Sequence, residues 1–198
     1  VRGYENHTEY MERSLAVVDR MEKLVKELLY VSKAEGTQKS KYKIVDFAEV
    51  FRVQIAAVSD LLEEKKQHIE VNIPDRLYCE VEQVQMERAI QNILVNAIRY
   101  SPSNELIRVT LAEIHGTIRG EIENTGVHVS GDAIPHLFEA FYRADASRNR
   151  NTGGTGLGLY IVRKIMEMHH AKYGISNTSK GVLFWFELSC KQPIDNSI

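Results

Sequence analysis

The sequence predicts an α+β two-layer sandwich, a mixed sheet with helices on one face, preceded by one long N-terminal helix. Three observations predict it. Residues 5–35 contain neither Pro nor Gly and repeat apolar side chains at spacings of three and four. Beyond residue 42, segments of helical and of two-residue periodicity alternate. Strand signals then crowd toward the C-terminus, two of them meeting across His115-Gly116 as a hairpin.

In the first helix Met11, Ser14, Val18, Met21, Val25, Leu28 and Ser32 form a seam, widened by Leu15, Leu24 and Leu29. A seam of this kind needs a partner. Arg13, Arg20, Glu22, Lys23, Lys26 and Glu27 fall largely on its other faces, and Gly36 stops the helix. The polar segment 36–41 reads as a linker, which divides the chain into 1–36 and 37–198. A short strand is expected at 42–45. Asp46 then caps a helix to about residue 66, with Phe47, Val50, Phe51, Ile55, Val58, Leu61 and Leu62 as its core stripe. Residues 69–73 alternate and stop at Pro74, and 77–81 form a further strand. Residues 82–100 are helical, ended by Ser101-Pro102. The hairpin strands span 106–114 and 117–124, a short helix 133–138, a helix 156–170, and two final strands 173–177 and 182–190. The segment 141–155 is polar, basic and too long for a simple turn, so it reads as functional or mobile.

Composition bounds the function. With 198 residues, 43% hydrophobic, the chain has enough apolar side chains for a packed core. A net charge of −2 supplies no global field for nucleic acid or anionic lipid. Cys79 and Cys190 are too few for a disulfide framework and lack metal-ligand spacing, so reduced thiols on strands in a cytoplasmic compartment are expected. No apolar run is long enough to span a bilayer. The chain begins at Val1 rather than Met and reads as a piece of something longer, whose missing part leaves room for a membrane segment.

Chemistry concentrates in four places. On the helix 82–100, Met86, Ile90, Ile93, Leu94 and Ala97 form the apolar stripe, while Arg88, Asn92, Asn96 and Arg99 share another. Carboxamides are poor helix formers, so something polar should lie against them. A nucleotide-bound Mg²⁺ needs only one or two protein oxygens, a role that suits Asn96; a solvated polar face is the alternative. Glu123-Asn124-Thr125-Gly126 ends a strand, where a carboxamide accepts from an exocyclic amine and Gly126 lets backbone approach a flat ring; taken alone, an Asn-Thr-Gly turn is more often just a turn. Phe138 and Phe141 are expected to anchor a lid carrying Arg143, Arg148 and Arg150, or simply to border a solvated charge run. Gly153-Gly-Thr-Gly156-Leu-Gly158 runs into a helix, which makes a phosphate cradle, although it is neither a P-loop nor a dinucleotide fingerprint. Each signal is weak alone; their order over about 70 residues is specific.

With these motifs on the page, the sequence resembles bacterial sensor histidine kinases over essentially its whole length. Residues 92–102 match the family's N box, 124–126 its first glycine box, 138–143 its F box and 154–159 its second glycine box. Residues 20–32 resemble the second helix of the dimerisation and histidine-phosphotransfer domain. The resemblance implies the Bergerat ATP-binding sandwich shared with gyrase and Hsp90. Its finer flavour is similar to vancomycin-resistance-type kinases with OmpR-like response regulators as partners. It implies ATP and Mg²⁺ as ligands, with Asn96 on the metal and Asn92 supporting metal and phosphates. Arg99 and Tyr100 would border the nucleotide, Asn124 would read the adenine amine, and Gly126 would shape the adenine floor. Arg148 would approach the γ-phosphate, while Gly154, Gly156, Leu157 and Gly158 would form the hinge and phosphate turn. It further implies a homodimeric parent in the bacterial cell membrane with this part in the cytoplasm.

Three positions depart from the family. Asn124 stands where Asp is usual, which costs a charge-assisted bond and roughly 1 kcal/mol of adenine binding. His128 replaces the box's second glycine and is expected to crowd the rim, and Val182 replaces a Thr after Gly181. The phosphoacceptor motif, His followed by an acid, a base and Pro, is missing: His7 leads into Thr8-Glu9-Tyr10, and His68, His115, His136, His169 and His170 also lack it. The reading is therefore a catalytic kinase fragment whose substrate histidine lies elsewhere. Its rivals are an ATPase or serine kinase of the same fold, and a nucleotide-binding scaffold with a decayed pocket. Asn92 argues against the ATPase, because an amide cannot activate water as a carboxylate does.

Overall fold

The computed structural model describes residues 10–11, 14–15, 17–18, 21–22, 24–29, 42–144 and 155–189. The described residues between 10 and 29 are helical. Met11, Ser14, Leu15, Val18, Met21, Val25, Leu28 and Leu29 of the expected seam are exposed, and Leu24 alone packs against the core. The linker and Cys190 lie outside the described residues.

From residue 42 the elements follow the alternation in the sequence. They are β1 (Tyr42–Asp46), α1 (Phe47–Ala56), α2 (Ser59–Glu64), β2 (His68–Asn72), β3 (Tyr78–Glu82) and α3 (Gln83–Tyr100). Then come β4 (Leu106–Ile114), β5 (Thr117–Thr125), a 3-10 turn (Ile134–His136), α4 (Gly158–Met168), β6 (Lys172–Asn177) and β7 (Gly181–Ser189). Asp46 caps α1 as expected. Its Oδ1 accepts from the Ala48 N–H at 3.2 Å and from the Leu77 N–H at 3.1 Å, so one carboxylate fixes both the helix start and the approach to β3.

The sandwich differs from the expectation in four ways. The helix expected over 46–66 is two helices, because the chain turns at Ala57 and Val58; the turn buries Val58 and Leu62 and leaves Leu61 exposed. The strands do not form a single sheet: β1 and β3 pair antiparallel as a separate ribbon. The expected helix at 133–138 is only the 3-10 turn, with Pro135 inside it. The glycine-led helix starts at Gly158 rather than 156, because Gly156 has a φ of +78° and cannot belong to a right-handed turn.

The main sheet has the order β2-β4-β5-β7-β6, with β2 parallel to β4 and the other pairs antiparallel. Its buried face carries Ile107, Val109 and Leu111 of β4, Ile118 and Ile122 of β5, and Phe184, Phe186 and Leu188 of β7. Against it pack Phe47 and Phe51 of α1, Met86, Ile90, Ile93 and Leu94 of α3, and Ile161, Val162 and Ile165 of α4. Phe47, Phe51 and Phe186 form an aromatic triangle with centroids 5.3–6.2 Å apart. The opposite face is polar: Arg108 pairs with Glu70 and Glu123, while Arg119 pairs with Glu121 and Glu187 and lies over Trp185. Thus α3 and α4 share one layer, and the space between their polar edges and the end of β5 is where the core stops.

Candidate functional site

A cleft of about 220 Å³ opens there. Period two places Asn124 in the same inward row as Ile118 and Ile122, so a carboxamide replaces an apolar side chain at the last inward position of β5. Asn124 is 7% exposed and lines the cleft. Ile122 of β5, Ile175 of β6 and Val182 and Phe184 of β7 form the apolar surface beside it. This end is mostly apolar, with the Asn124 amide at its edge.

The other end is polar. Helical spacing carries Asn92, Asn96 and Arg99 along one edge of α3, next to the buried stripe. The first residue of α4 abuts them: a Cβ on Gly158 would lie 3.6 Å from Asn92 Oδ1 and 3.6 Å from Asn96 Nδ2. Among the described residues no side chain caps α4, whose first residues, Gly158 and Leu159, line the cleft. Among the described residues, the carboxamides of Asn92, Asn96 and Asn124 make no hydrogen bond. Three amides facing one cavity with unsatisfied capacity require an occupant, water or ligand.

The C-terminal end of α3 is fixed by two side chains that the sequence reading missed. Lys65 Nζ donates to the carbonyls of Ile98, Arg99 and Ser101 at 2.6–2.9 Å. Gln67 Nε2 donates to Ile98, Ser101 and Pro102 at 2.9–3.0 Å. They satisfy the orphan carbonyls of the helix end and hold Arg99 and Tyr100 at the cleft. Burial, and then the nearby Arg99 charge, push the Lys65 ammonium below its ordinary pKa.

The lid and rim hold several of the expected residues in altered roles. Phe138 is anchored, edge-on to Tyr173 at 5.1 Å and against Phe184. Phe141 is not an anchor: it is 58% exposed at a φ of +65°. What ties this segment down is backbone, since the Phe141 N–H donates to the Gly156 carbonyl at 3.0 Å. A Cβ on Gly156 would stand 2.8 Å from the Phe141 backbone, so this glycine is demanded by contact as well as by φ. Gly126 has a φ of +78° and its open side faces Glu105, so it turns the chain after β5 without lining the cleft. Leu157 is buried core, not cleft wall. Arg148 and Gly154 lie outside the described residues. His128 stands on the rim as expected, with Nε2 2.9 Å from the Thr178 carbonyl. Asn177 brackets the same segment through both the N–H and the carbonyl of Val129. Two further lining residues were not foreseen, Thr155 and Glu27. Thr155, between the glycines, was in plain view; nothing in the helical pattern of the N-terminus distinguishes Glu27 from its charged neighbours.

Among the described residues no cluster of three acidic, His or Cys side chains could bind a metal alone, and no helix is long and apolar enough to cross a membrane. The carboxamide oxygens of Asn92 and Asn96 are neutral, hard donors, of the kind that complete the shell of a cation held mainly by other ligands.

Comparison with known proteins agrees with this geometry. The sequence profile of the histidine kinase-, DNA gyrase B-, and HSP90-like ATPase family matches residues 81–192. The sensor protein VanSB of Enterococcus faecalis is 30% identical over 189 residues, covering 95% of this chain and 42% of VanSB. The phosphate regulon sensor protein PhoR of Haemophilus influenzae is 32% identical over 168 residues, covering 84% of this chain and 39% of PhoR. This chain thus spans about two fifths of the length of these relatives. In fold it resembles the catalytic domain of histidine kinase ThkA, with a TM-score of 0.67 at 23% identity over 76% of this chain and 97% of that one. It also resembles full-length ShkA in complex with AMPPNP, with a TM-score of 0.74 at 22% identity over 88% of this chain and 37% of that one.

Proposed function

Because this chain belongs to the histidine kinase-, DNA gyrase B-, and HSP90-like ATPase family, we propose that it is the ATP-binding catalytic part of a sensor histidine kinase, moving the γ-phosphoryl of Mg-ATP to a histidine outside this chain. The observation that carries the proposal is the trio of carboxamides, Asn92, Asn96 and Asn124, without a hydrogen-bond partner among the described residues, facing one cleft at the glycine start of α4. Asn124, beside Ile122, Ile175 and Phe184, takes the adenine. Asn96 offers its oxygen to Mg²⁺ and Asn92 supports it. Arg99, Tyr100 and the amides at Gly156 and Gly158 take the phosphates, with Gly154 and Arg148 completing the turn and lid. The cation, when bound, neutralises phosphate charge. Everything else asked of this chain is positioning, which suits phosphoryl transfer.

Residues 1–36 are assigned to the second helix of a dimerisation and phosphotransfer domain, and 37–198 to the catalytic domain. The exposed seam of Met11, Leu15, Val18, Met21, Val25 and Leu28 supports pairing with helices of a homodimer. The phosphate is then relayed to the aspartate of an OmpR-like response regulator. A regulator is the partner of one structural neighbour, ThkA in complex with response regulator protein TrrA, which matches at a TM-score of 0.72 and 22% identity over 92% of this chain and 51% of that one. The intact protein sits in a bacterial membrane with this part in the cytoplasm.

The test is a calorimetric titration with a non-hydrolysable ATP analogue, with and without Mg²⁺. The unchanged chain should bind more tightly with the metal. Asn96→Ala should lose that increment and keep its metal-free affinity. Equal metal dependence in both proteins removes Asn96 from the metal, and no binding by either supports the decayed-scaffold reading.

A further inference from the structure

One side chain of the N-terminal helix enters the cleft. Glu27 is 7% exposed and accepts a hydrogen bond from Thr155 Oγ1 at 2.6 Å. Thr155 Oγ1 in turn accepts from the Leu157 N–H at 3.3 Å, directly before α4. Leu24, one turn earlier, packs on the core, while Met21, Val25, Leu28 and Leu29 of the same helix stay exposed. Among the described residues, Glu27 and Leu24 seat this helix on the catalytic domain, and the rest of its described apolar seam stays exposed.

The carboxylate, held at Thr155 directly before Gly156, lines the same cleft as Gly158, Asn92 and Asn96 of its anion end. The other charged or titratable groups that share the described cleft wall are Arg99 and Tyr100 on α3, Tyr142 and Arg143 in the lid and His128 on the rim. Among the described lining residues Glu27 is the only carboxylate. A polyphosphate placed against the same donors would meet a fixed negative charge with little water between them. A ligand and a side chain that compete for one set of donors are thermodynamically linked, and the linkage is reciprocal.

We propose that Glu27 is a built-in competitor: its carboxylate fills the anion end of the cleft, so that the seated N-terminal helix and a bound nucleoside triphosphate exclude each other. The proposal rests on the nucleotide reading of the cleft. Nucleotide releases the helix, and anything that holds the helix seated weakens nucleotide binding. The helix that carries the dimer seam thereby senses whether the cleft is filled.

The test uses the whole chain, Glu27→Gln, and the control Glu22→Gln, whose carboxylate is paired with Lys26 on the exposed side. The carboxamide introduced by Glu27→Gln can still accept from Thr155, so the variant removes charge and keeps the contact. With a non-hydrolysable ATP analogue and Mg²⁺, Glu27→Gln should bind on the order of tenfold more tightly, as expected from removing one poorly screened like charge. Adenosine, which carries no phosphate, should bind all three proteins alike. Hydrogen exchange of amides 24–29 in the unchanged chain should accelerate when the analogue saturates it. Binding only by Glu27→Gln would be the extreme supporting case. Equal analogue affinities, an equal gain for adenosine, or undiminished protection at 24–29 would each overturn the proposal while leaving the nucleotide site standing. Weaker binding by Glu27→Gln would also overturn it, by making Glu27 a helper of the metal. Failure of every variant to bind any adenine ligand removes the site reading and the competitor together.

Discussion

Replacing Gly181 by alanine should separate β7 from β5 at the adenine end of the cleft. A Cβ on Gly181 would stand 1.9 Å from the Asn124 carbonyl oxygen and 2.8 Å from both the Asn124 carbonyl carbon and the Thr125 Cα. All three are backbone atoms, so no side-chain rotation relieves the clash. Reaching even the 3.0 Å floor of real Cβ contacts opens the strands by 1.1 Å at the Thr125–Gly181 pair. Three hydrogen bonds converge there: Gly181 N–H to Thr178 Oγ1 at 3.0 Å, Thr178 N–H to the Gly181 carbonyl at 2.8 Å, and Gly126 N–H to the Lys180 carbonyl at 3.1 Å. At about 1 kcal/mol net for each bond, plus residual overlap, the cost is about 2–4 kcal/mol. For a chain of this size that is roughly a 5–15 °C fall in Tm. Asn124 moves with its own carbonyl, so analogue affinity should fall as well. Urea denaturation of three variants checks the reasoning. Gly131→Ala, with open space around it, should be nearly neutral. Gly116→Ala, at a φ of +74° with nothing within 4 Å, should cost only the backbone strain, about 1 kcal/mol. Gly181→Ala within 0.5 kcal/mol of the unchanged chain, or milder than Gly116→Ala, would refute the argument, by showing that the turn gives way cheaply.

Two further outcomes are expected. Asn124→Asp should tighten adenine-nucleotide binding by about 1 kcal/mol, roughly fivefold, because a carboxylate accepts from an amine more strongly than an amide does; calorimetry showing no gain would remove Asn124 from the adenine. His169 accepts from the Glu82 N–H at 3.0 Å through Nε2, and Nδ1 donates to the Ile165 carbonyl at 2.7 Å, so it is held neutral between α4 and the cap of α3, with burial as the main cause of its lowered pKa. The unfolded chain then binds a proton that the folded chain refuses. Stability should be full above the ordinary histidine range, near 6.5, and decline as pH falls below it, at up to about 1.4 kcal/mol per pH unit, with His169→Gln flattening the slope in a pH series of urea melts.

The parts legible in the sequence are those where one side chain's periodicity meets one neighbour. The α3 stripe of Met86, Ile90, Ile93 and Leu94 is buried as its spacing predicts, and Asn92 and Asn96 fall on the adjoining edge. The hairpin turns at His115-Gly116 with both residues at positive φ, the type I′ geometry that a two-residue connection prefers. What was illegible depends on tertiary pairing. The ribbon of β1 and β3 looks locally like any two strands, and only the partnering of Asp46 with both Ala48 and Leu77 shows why it stands apart from the sheet. The break between α1 and α2 hides inside an unbroken apolar pattern, because Val58 is buried whether or not the helix continues. Lys65 and Gln67 read as surface polars, since their acceptors lie more than thirty residues away at the end of α3. Glu27 reads as a solvated charge because its partner, Thr155, is 128 residues distant.

Under the proposed kinase reading, that last contact bears on whether the cleft leaves its nucleotide intact. Asn92 cannot deprotonate water, and among the described lining residues Glu27 is the only carboxylate that could serve as a general base. It arrives on a helix outside the sandwich. If nucleotide expels it, no carboxylate remains among the described lining residues to act as base, and under the proposed reading the γ-phosphoryl waits for an imidazole. If it stayed, a carboxylate would stand beside the phosphates, as in an ATPase. Steady-state ATP turnover distinguishes the two cases. The unchanged chain and Glu27→Gln should both hydrolyse ATP slowly and at the same saturated rate, because in neither does Glu27, the only carboxylate among the described lining residues, face the bound substrate as a base. A saturated rate that falls in Glu27→Gln by roughly the 10²–10⁴-fold typical of a lost general base would place Glu27 in the chemistry, and the cleft would then be built to spend ATP rather than to keep it.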